Sequence, residues 1–381
     1  MKIAVLDITS RNAKQYNPSL CKALAENLVN GEVELLAPRL SINPVNFKYR
    51  KLFNIVPASW TGGKGRLKRL LRGVESSLNY VYVIIYVAIV RPDILHIQWF
   101  PFVEFAGGEE YVLAAIKRSS PKLKIVYTAH NIYPHNLSEN GRAAYRTRVL
   151  RLDNYIDQYV THLNSSRKEL MNEYGIPPQK VSVAYHGIYV AENYIPTQNK
   201  PSNIKRLIMY GFQSRYKGAD ILIDALNLLP KESLSKLKVK IVGLTDKALY
   251  ESYSEKATAI NVEWINRFVS DGELYQAIGE SDLILLPYRK IAQSGVLLLA
   301  LSYKKAILTS DLPSFKETLE GYPEDCFFES GNPKALADIL EQFVNNRIDV
   351  HNLIKIIRNL NEKYSWNETA KKTLYIYQTI Q

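Results

Sequence analysis

Two cysteines in 381 residues, Cys21 and Cys326, far apart and without C-x-x-C spacing, exclude a disulfide framework and a cysteine-based zinc site. They fit a reducing, cytoplasmic setting. Neither H-E-x-x-H nor a D-x-D triplet occurs, so no metal is expected. No P-loop and no G-x-G-x-x-G follows a strand-like segment, which removes the usual support for an ATPase or a dinucleotide oxidoreductase. The chain opens on M-K-I-A-V-L-D-I, directly into a strand-like run, with no apolar stretch of leader length before a cleavage site. The longest apolar run, Tyr80 to Val90, is too short to cross a bilayer and reads as a buried helix segment.

Acids are missing between Glu34 and Glu75, where Arg39, Lys48, Arg50, Lys51, Lys64, Arg66, Lys68, Arg69 and Arg72 stand among Phe47, Tyr49, Phe53 and Trp60. Most of the net charge of +12 lies on this side: residues 1–195 hold 25 Lys plus Arg against 15 Asp plus Glu, residues 196–381 hold 24 against 22. A basic stretch can be a solvated face, or it can attract an anionic membrane surface, a phosphorylated acceptor or nucleic acid. No nucleic-acid motif accompanies it, so nucleic acid is not expected as a partner.

Short apolar runs alternate with helical patterns from end to end, the signature of α/β architecture with parallel sheets. Runs at 3–8, 33–37, 94–99, 124–129 and 158–163 read as strands of a first sheet. Runs at 206–212, 238–243, 261–265, 282–288 and 305–310 read as strands of a second. A chain of this length favours two domains, and Ile195 to Ile204, interrupted by Pro196, Asn199, Pro201 and Asn203, is the expected linker. Trp366, Ala370, Leu374 and Tyr377 recur at helical spacing, predicting a terminal amphipathic helix.

In parallel sheets the loops after strands carry the chemistry. T-A-H-N-I-Y-P-H (128–135) gathers His130, Asn131 and His135 in one such loop, and the imidazole of His130 can exchange a proton with a substrate hydroxyl near neutral pH. Y-G-F-Q-S-R-Y-K-G (210–218) places Gly211 and Gly218 where backbone can approach a ligand, with Arg215 and Lys217 beside a helix start, a diphosphate site in outline. After the strand-like L-P-Y, Gln293, Ser294, Gly295 and Val296 open an apolar helix whose free N–H groups suit a phosphate, although a simple Ser cap gives the same pattern.

These segments, with H-I-Q-W (96–99), Y-H-G-I-Y (185–189), R-F-V-S-D-G-E-L (267–274), S-D-L-I-L-L-P-Y (281–288) and Y-S-W (364–366), occur in the order seen in GT-B glycosyltransferases of the family 4 type. The chain resembles that family over nearly its whole length. The resemblance implies two Rossmann-like domains facing across a cleft: residues 1–195 binding the acceptor, 196–363 binding the sugar nucleotide, and 364–381 forming a helix that crosses back. It implies an enzyme that needs no metal and no cofactor, the nucleotide-sugar (UDP- or GDP-linked) being a co-substrate. The acceptor would be a glycan or lipid-diphosphate-linked glycan in bacterial polysaccharide biosynthesis, reached at the inner membrane face through the basic N-domain. By position, Gly211, Arg215 and Lys217 would hold the donor diphosphate and Phe268 and Val269 would lie by the base. Gln293 to Val296 would meet phosphate and sugar. His130 would act catalytically near the anomeric carbon, with Trp99, Asn131, His135 and His186 on the acceptor side. Three positions depart from the family pattern: its two glutamates fall at Ile291 and Leu299, and its phosphate-motif Arg at Phe212. Donor identity and retention of configuration therefore stay open. A catalytically silent nucleotide-binding homologue, or a nucleotide-sugar epimerase, are the competing readings.

Overall fold

The structure is a computed structural model that describes residues 1–9, 15–40, 43–55, 66–134, 137–189, 203–260 and 262–381, with the side chains of 66–69 excepted. Two compact units emerge: Met1–Gly187 with Tyr364–Gln381, and Ile188–Lys363.

The first unit is built on seven parallel strands, β1 (Lys2–Leu6), β2 (Glu32–Ala37), β3 (Lys48–Lys51), β4 (Ile94–Ile97), β5 (Lys124–Thr128), β6 (Gln158–Thr161) and β7 (Val181–Val183), in the order β3-β2-β1-β4-β5-β6-β7. Helices α1 (Tyr16–Asn27), α2 (Arg66–Val90), α3 (Glu109–Ser119), α4 (Glu139–Asp153) and α5 (Asn164–Tyr174) supply the crossovers. The central strands are apolar on both faces because helices cover both, which is why they read as unbroken runs.

The second unit repeats the scheme with six parallel strands: β8 (Lys205–Tyr210), β9 (Leu237–Val242), β10 (Glu263–Ile265), β11 (Leu283–Leu286), β12 (Ala306–Ser310) and β13 (Phe327–Phe328), ordered β10-β9-β8-β11-β12-β13. Its helices are α6 (Ala219–Leu228), α7 (Lys231–Ser235), α8 (Lys247–Ala259), α9 (Asp271–Glu280), α10 (Gly295–Ser302), α11 (Pro313–Thr318), α12 (Pro333–Val344) and α13 (Val350–Lys363). The last helix, α14 (Trp366–Thr379), leaves this unit and packs Ala370, Leu374, Ile376 and Tyr377 into the first, against Leu20, Cys21 and Leu24 of α1.

Three strands escaped the sequence reading. β3 is K-Y-R-K, an edge strand whose Lys48 and Arg50 pair with Glu32 and Glu34 of β2, both at 2.7 Å, so ion pairs replace the apolar signal. β7 and β13 span three and two residues, too short to show a period.

The apolar run Tyr80 to Val90 requires correction. It is the second half of a 25-residue helix, and it is not buried all round: Tyr80, Val83, Tyr86 and Val87 face the core, whereas Val81, Ile85 and Ile89 are exposed. The composition was uniformly apolar, so only the packing separates the two faces.

Candidate functional site

In each unit the sheet order reverses about a central pair, β1/β4 in the first and β8/β11 in the second, and ligands of such sheets bind outside the carboxyl ends of the strands there.

At that end of the first sheet, adjacent strands each release an imidazole or its partner. Gln98 and Trp99 follow β4, His130 follows β5, His162 follows β6 and His186 follows β7. Tyr16, the first residue of α1, stands edge-on to His130 (4.9 Å between centroids), His162 (5.5 Å) and His186 (4.7 Å). Trp99 stacks on His130 at 5.0 Å, and Trp366 of α14 packs against His186 at 5.4 Å. Burial removes solvation from the charged form. It holds His162 down to about 4 and His130 and His186 well below the ordinary histidine value, with repulsion from neighbouring imidazoles adding to the effect on the latter two.

Neutral rings fix the proton positions. His162 Nδ1 lies 3.0 Å from the Ala184 carbonyl, which only accepts, so Nδ1 carries the hydrogen and Nε2 is a lone pair. His130 Nδ1, 3.2 Å from that lone pair, must donate to it. His130 Nε2 is therefore an acceptor. The Gln98 side chain brings Oε1 within 3.0 Å of it, while Gln98 Nε2 is buried with no partner among the described residues. Turning the amide so that its NH₂ faces the ring gives the His130 lone pair its donor. The chain Ala184–His162–His130 thus leaves a lone pair on His130 Nε2, and the His130 residue as a whole is half-buried. His96, inside β4, contacts Tyr377 Oη and Thr128 Oγ1, both at 2.6 Å, and burial pushes it down to about 3. It anchors α14 to the sheet. Among the described residues no group of three His, Cys, Asp or Glu side chains is arranged to hold a metal ion.

At the corresponding end of the second sheet, β8 runs into Gly211 (φ 94°), a 3₁₀ turn Arg215–Lys217, and Gly218 (φ 79°) at the start of α6. A Cβ on Gly218 would stand 1.9 Å from the Pro287 carbonyl oxygen, and one on Gly211 would stand 2.9 Å from Lys217 Nζ and 3.4 Å from Val296. Lys217 and the start of α10 therefore converge on the backbone of Gly211. Ser294 caps α10 by accepting from Leu297 N at 3.2 Å, leaving the first-turn N–H groups of Gly295 and Val296 pointing away from the helix body. Tyr210 Oη donates to the Val296 carbonyl at 2.9 Å and fixes that turn.

Lys217 is only 6% exposed and has no carboxylate partner among the described residues; its ammonium rests over the Tyr288 ring at 5.6 Å. Burial alone pushes it down to about 8. Arg289, absent from the sequence reading, pairs with buried Asp220 through two bonds of 2.7 and 2.8 Å and donates to the Arg215 carbonyl, bracing the turn that carries Lys217. Arg215 is exposed, Gln293 half-buried and Phe212 exposed. Beyond β10, Phe268 is 85% exposed and Val269 half-buried, on a loop held by the Arg267–Glu273 ion pair (2.7 Å) and the Ser270 capping box.

Of the residues singled out from sequence, His130, His186 and Trp99 come together in unit 1, with Asn131 half-buried beside His130 in the same loop. Gly211, Lys217, Gly295 and Val296 come together in unit 2. His135 and Lys64 lie outside the described residues. His162 and Gln98 were missed; their signal is position, one residue past the end of β4 and of β6, the two strands that flank β5.

Residues 190–360 match the family Glycosyl transferases group 1, and residues 18–192 match Glycosyltransferase Family 4. The chain belongs to the GT-B glycosyltransferases of the family 4 type. Solved GT-B structures share its fold. A sucrose-phosphate synthase from Thermosynechococcus elongatus superposes with a TM-score of 0.74 at 14% identity, covering 100% of this chain and 99% of that one. The Anabaena HepE protein in complex with UDP gives 0.67 at 14%, covering both chains fully. A glycosyltransferase from Rickettsia africae gives 0.67 at 15%, covering 100% and 98%. A curated relative, the GDP-mannose:glycolipid 4-beta-D-mannosyltransferase of Xanthomonas campestris pv. campestris, is 24% identical over 229 residues, 57% of this chain. The match spans 61% of that relative's length.

Proposed function

We propose that this GT-B chain transfers a sugar from a nucleotide-sugar to a glycan or lipid-diphosphate-linked glycan in bacterial polysaccharide assembly, at the cytoplasmic face of the inner membrane. The observation that carries the donor half is Lys217: an ammonium buried with no carboxylate partner among the described residues is costly, and an anionic ligand at Gly211 and the α10 N-terminus removes that cost. The donor diphosphate takes this place, with Arg215 at its outer side and Phe268 offering a flat apolar surface to the base. Gln293 and Ser294 lie where the sugar joins the phosphate. Leaving-group charge is met by Lys217 and helix dipoles, without a metal or other cofactor.

His130 is the catalytic base in this reading. An acceptor hydroxyl replaces the Gln98 amide as donor to Nε2, and the proton taken up is shared through Nδ1 with His162 and the Ala184 carbonyl. A protein base is needed when the reaction inverts configuration. A β-mannoside formed from the α-linked sugar of GDP-mannose, as the name of the Xanthomonas relative describes, inverts. Ile291, where the family pattern has a glutamate, removes the carboxylate that would address the donor sugar. Trp99, Asn131 and His186 shape the acceptor side. The glycolipid acceptor of the same relative and the basic charge of residues 1–195 support a lipid-linked acceptor.

The test is thermal shift with GDP, GDP-mannose, UDP and UDP-glucose on the full chain, followed by transfer to a lipid-linked glycan with the best donor. One nucleotide should raise the melting temperature, and Lys217→Ala should abolish that rise. His130→Ala should keep the rise and lose transfer. No shift with any nucleotide would favour a silent homologue, and an epimerised free donor without acceptor would favour an epimerase.

A further inference from the structure

In the second unit α12 packs on α6, whereas α13 packs on β12 and α10. The turn that joins α12 to α13 stands off the sheet, and a cavity of about 710 Å³ is left between that turn and the strand ends. Lys205 opens β8, Asp282 precedes β11 and Lys305 precedes β12, so three neighbouring parallel strands present their amino ends to the cavity. Gly211 and Ser294 follow the carboxyl ends of the same sheet. The cavity is therefore on the opposite edge from the donor site.

Part of its wall is apolar: Phe343 of α12 is buried, and Ile348 of the turn and Ile354 of α13 are half-buried. The charge on the wall is unbalanced, with four Lys and Arg side chains against two carboxylates. Both carboxylates are engaged. Asp282 accepts from Arg206 N at 2.8 Å and from the Arg206 guanidinium at 3.2 Å, and Asp349 caps α13 by accepting from Asn352 N at 3.0 Å. Lys205, Lys305 and Arg347 pair with no carboxylate among the described residues. Lys205 Nζ rests over the Phe343 ring at 5.8 Å, Lys305 Nζ donates to the Gly279 carbonyl at 2.7 Å, and Arg347 is exposed. Burial holds Lys305 below the ordinary lysine value. Three cations around one cavity repel one another, and a shared anion replaces that repulsion with attraction.

We propose that this cavity binds a small organic phosphate ester, its phosphoryl group among Lys205, Lys305 and Arg347 and its apolar or aromatic body against Phe343, Ile348 and Ile354. A phosphate monoester carries about 1.5 to 2 negative charges at neutral pH, which answers the excess of two on the wall. The volume falls in the ~300–1,000 Å³ range of small-molecule sites, and a concavity of this size suits a small ligand rather than the face of a protein. The site stands apart from the sugar-transfer reading, because none of its residues belongs to the donor or acceptor machinery.

Phosphorus NMR titration of the full chain with 1-naphthyl phosphate tests it, with inorganic phosphate as the ligand that lacks the apolar body. The wild type should bind the ester at least about tenfold more tightly than inorganic phosphate. Arg347→Glu, at an exposed side chain, and Lys305→Met with Arg347→Met should each weaken the ester by at least about tenfold, with circular dichroism unchanged. Ile354→Ser should weaken the ester and leave inorganic phosphate as it was. Lys217→Ala, which disables the donor site, should bind the ester as wild type does. A wild type that does not bind the ester at millimolar concentration, or that binds it no better than inorganic phosphate, overturns the proposal. Binding that survives both charge variants also overturns it. Binding lost in Lys217→Ala would assign the ester to the donor site and overturn it as well.

Discussion

Lowering the pH from 7.5 to 5.5 should destabilise the first unit sharply, because four of its histidines are folded in the neutral form. His96 sits at about 3 and His162 at about 4, while His130 and His186 lie well below 6.5. Unfolded histidine titrates near 6.5. A depressed folded value means that the contribution is whole above the unfolded value and is lost as pH falls from about 6.5 toward about 4. At pH 5.5 each unfolded histidine has gained a proton that its folded counterpart refuses, a loss of about 1.4 kcal/mol apiece and roughly 5–6 kcal/mol for four. One group opposes this. Burial raises the Glu109 carboxyl to about 7 even as it accepts from Phe102 N and Tyr80 Oη. A raised carboxyl regains stability as it protonates, about 2 kcal/mol over the same interval. The net loss is about 3–4 kcal/mol, a large share of the ~5–15 kcal/mol typical of a folded domain. Urea titration followed by the emission of Trp99 and Trp366, which lie against His130 and His186, reads it directly. A midpoint unchanged between pH 7.5 and 5.5, or folded-state imidazole resonances titrating near 6.5, would refute the reasoning.

Gly218→Ala should abolish the nucleotide-induced thermal shift and cost at least about 2 kcal/mol in urea titration, since its Cβ meets the Pro287 carbonyl at a left-handed φ. Gly187→Ala puts a Cβ 2.3 Å from the Trp366 ring; differential scanning calorimetry should show the first unit melting earlier, with about 1–3 kcal/mol lost. Nucleotide affinity, measured by titration calorimetry, should fall as pH rises through about 8 while Lys217 loses its proton, and Lys217→Arg should flatten that fall because guanidinium stays charged.

The alternation of strand and helix was legible because parallel strands covered on both faces must be apolar throughout, and their loops announced His130, Lys217 and Ser294. What sequence could not supply was convergence. His162 is one polar residue at the end of an apolar run and gains meaning only when β5 and β6 lie side by side, setting its ring against His130. Asp220 and Arg289 are 69 positions apart and meet because β8 and β11 are neighbours. The two sides of α2 share one composition, so periodicity could not say which would be covered. The edge strand β3 was hidden for the opposite reason, its polarity serving ion pairs with β2 rather than solvent.

The return of α14 has a consequence for synthesis. The N-terminal unit is translated first, yet the apolar side of α1 and the ring of His96 wait for Tyr377 and its neighbours. That unit stays open while the whole of the second emerges from the ribosome, so the earliest part of the chain to be made is the last to close. A ribosome that stalls before residue 366 leaves a sticky nascent domain, a natural target for chaperones and for quality-control proteases.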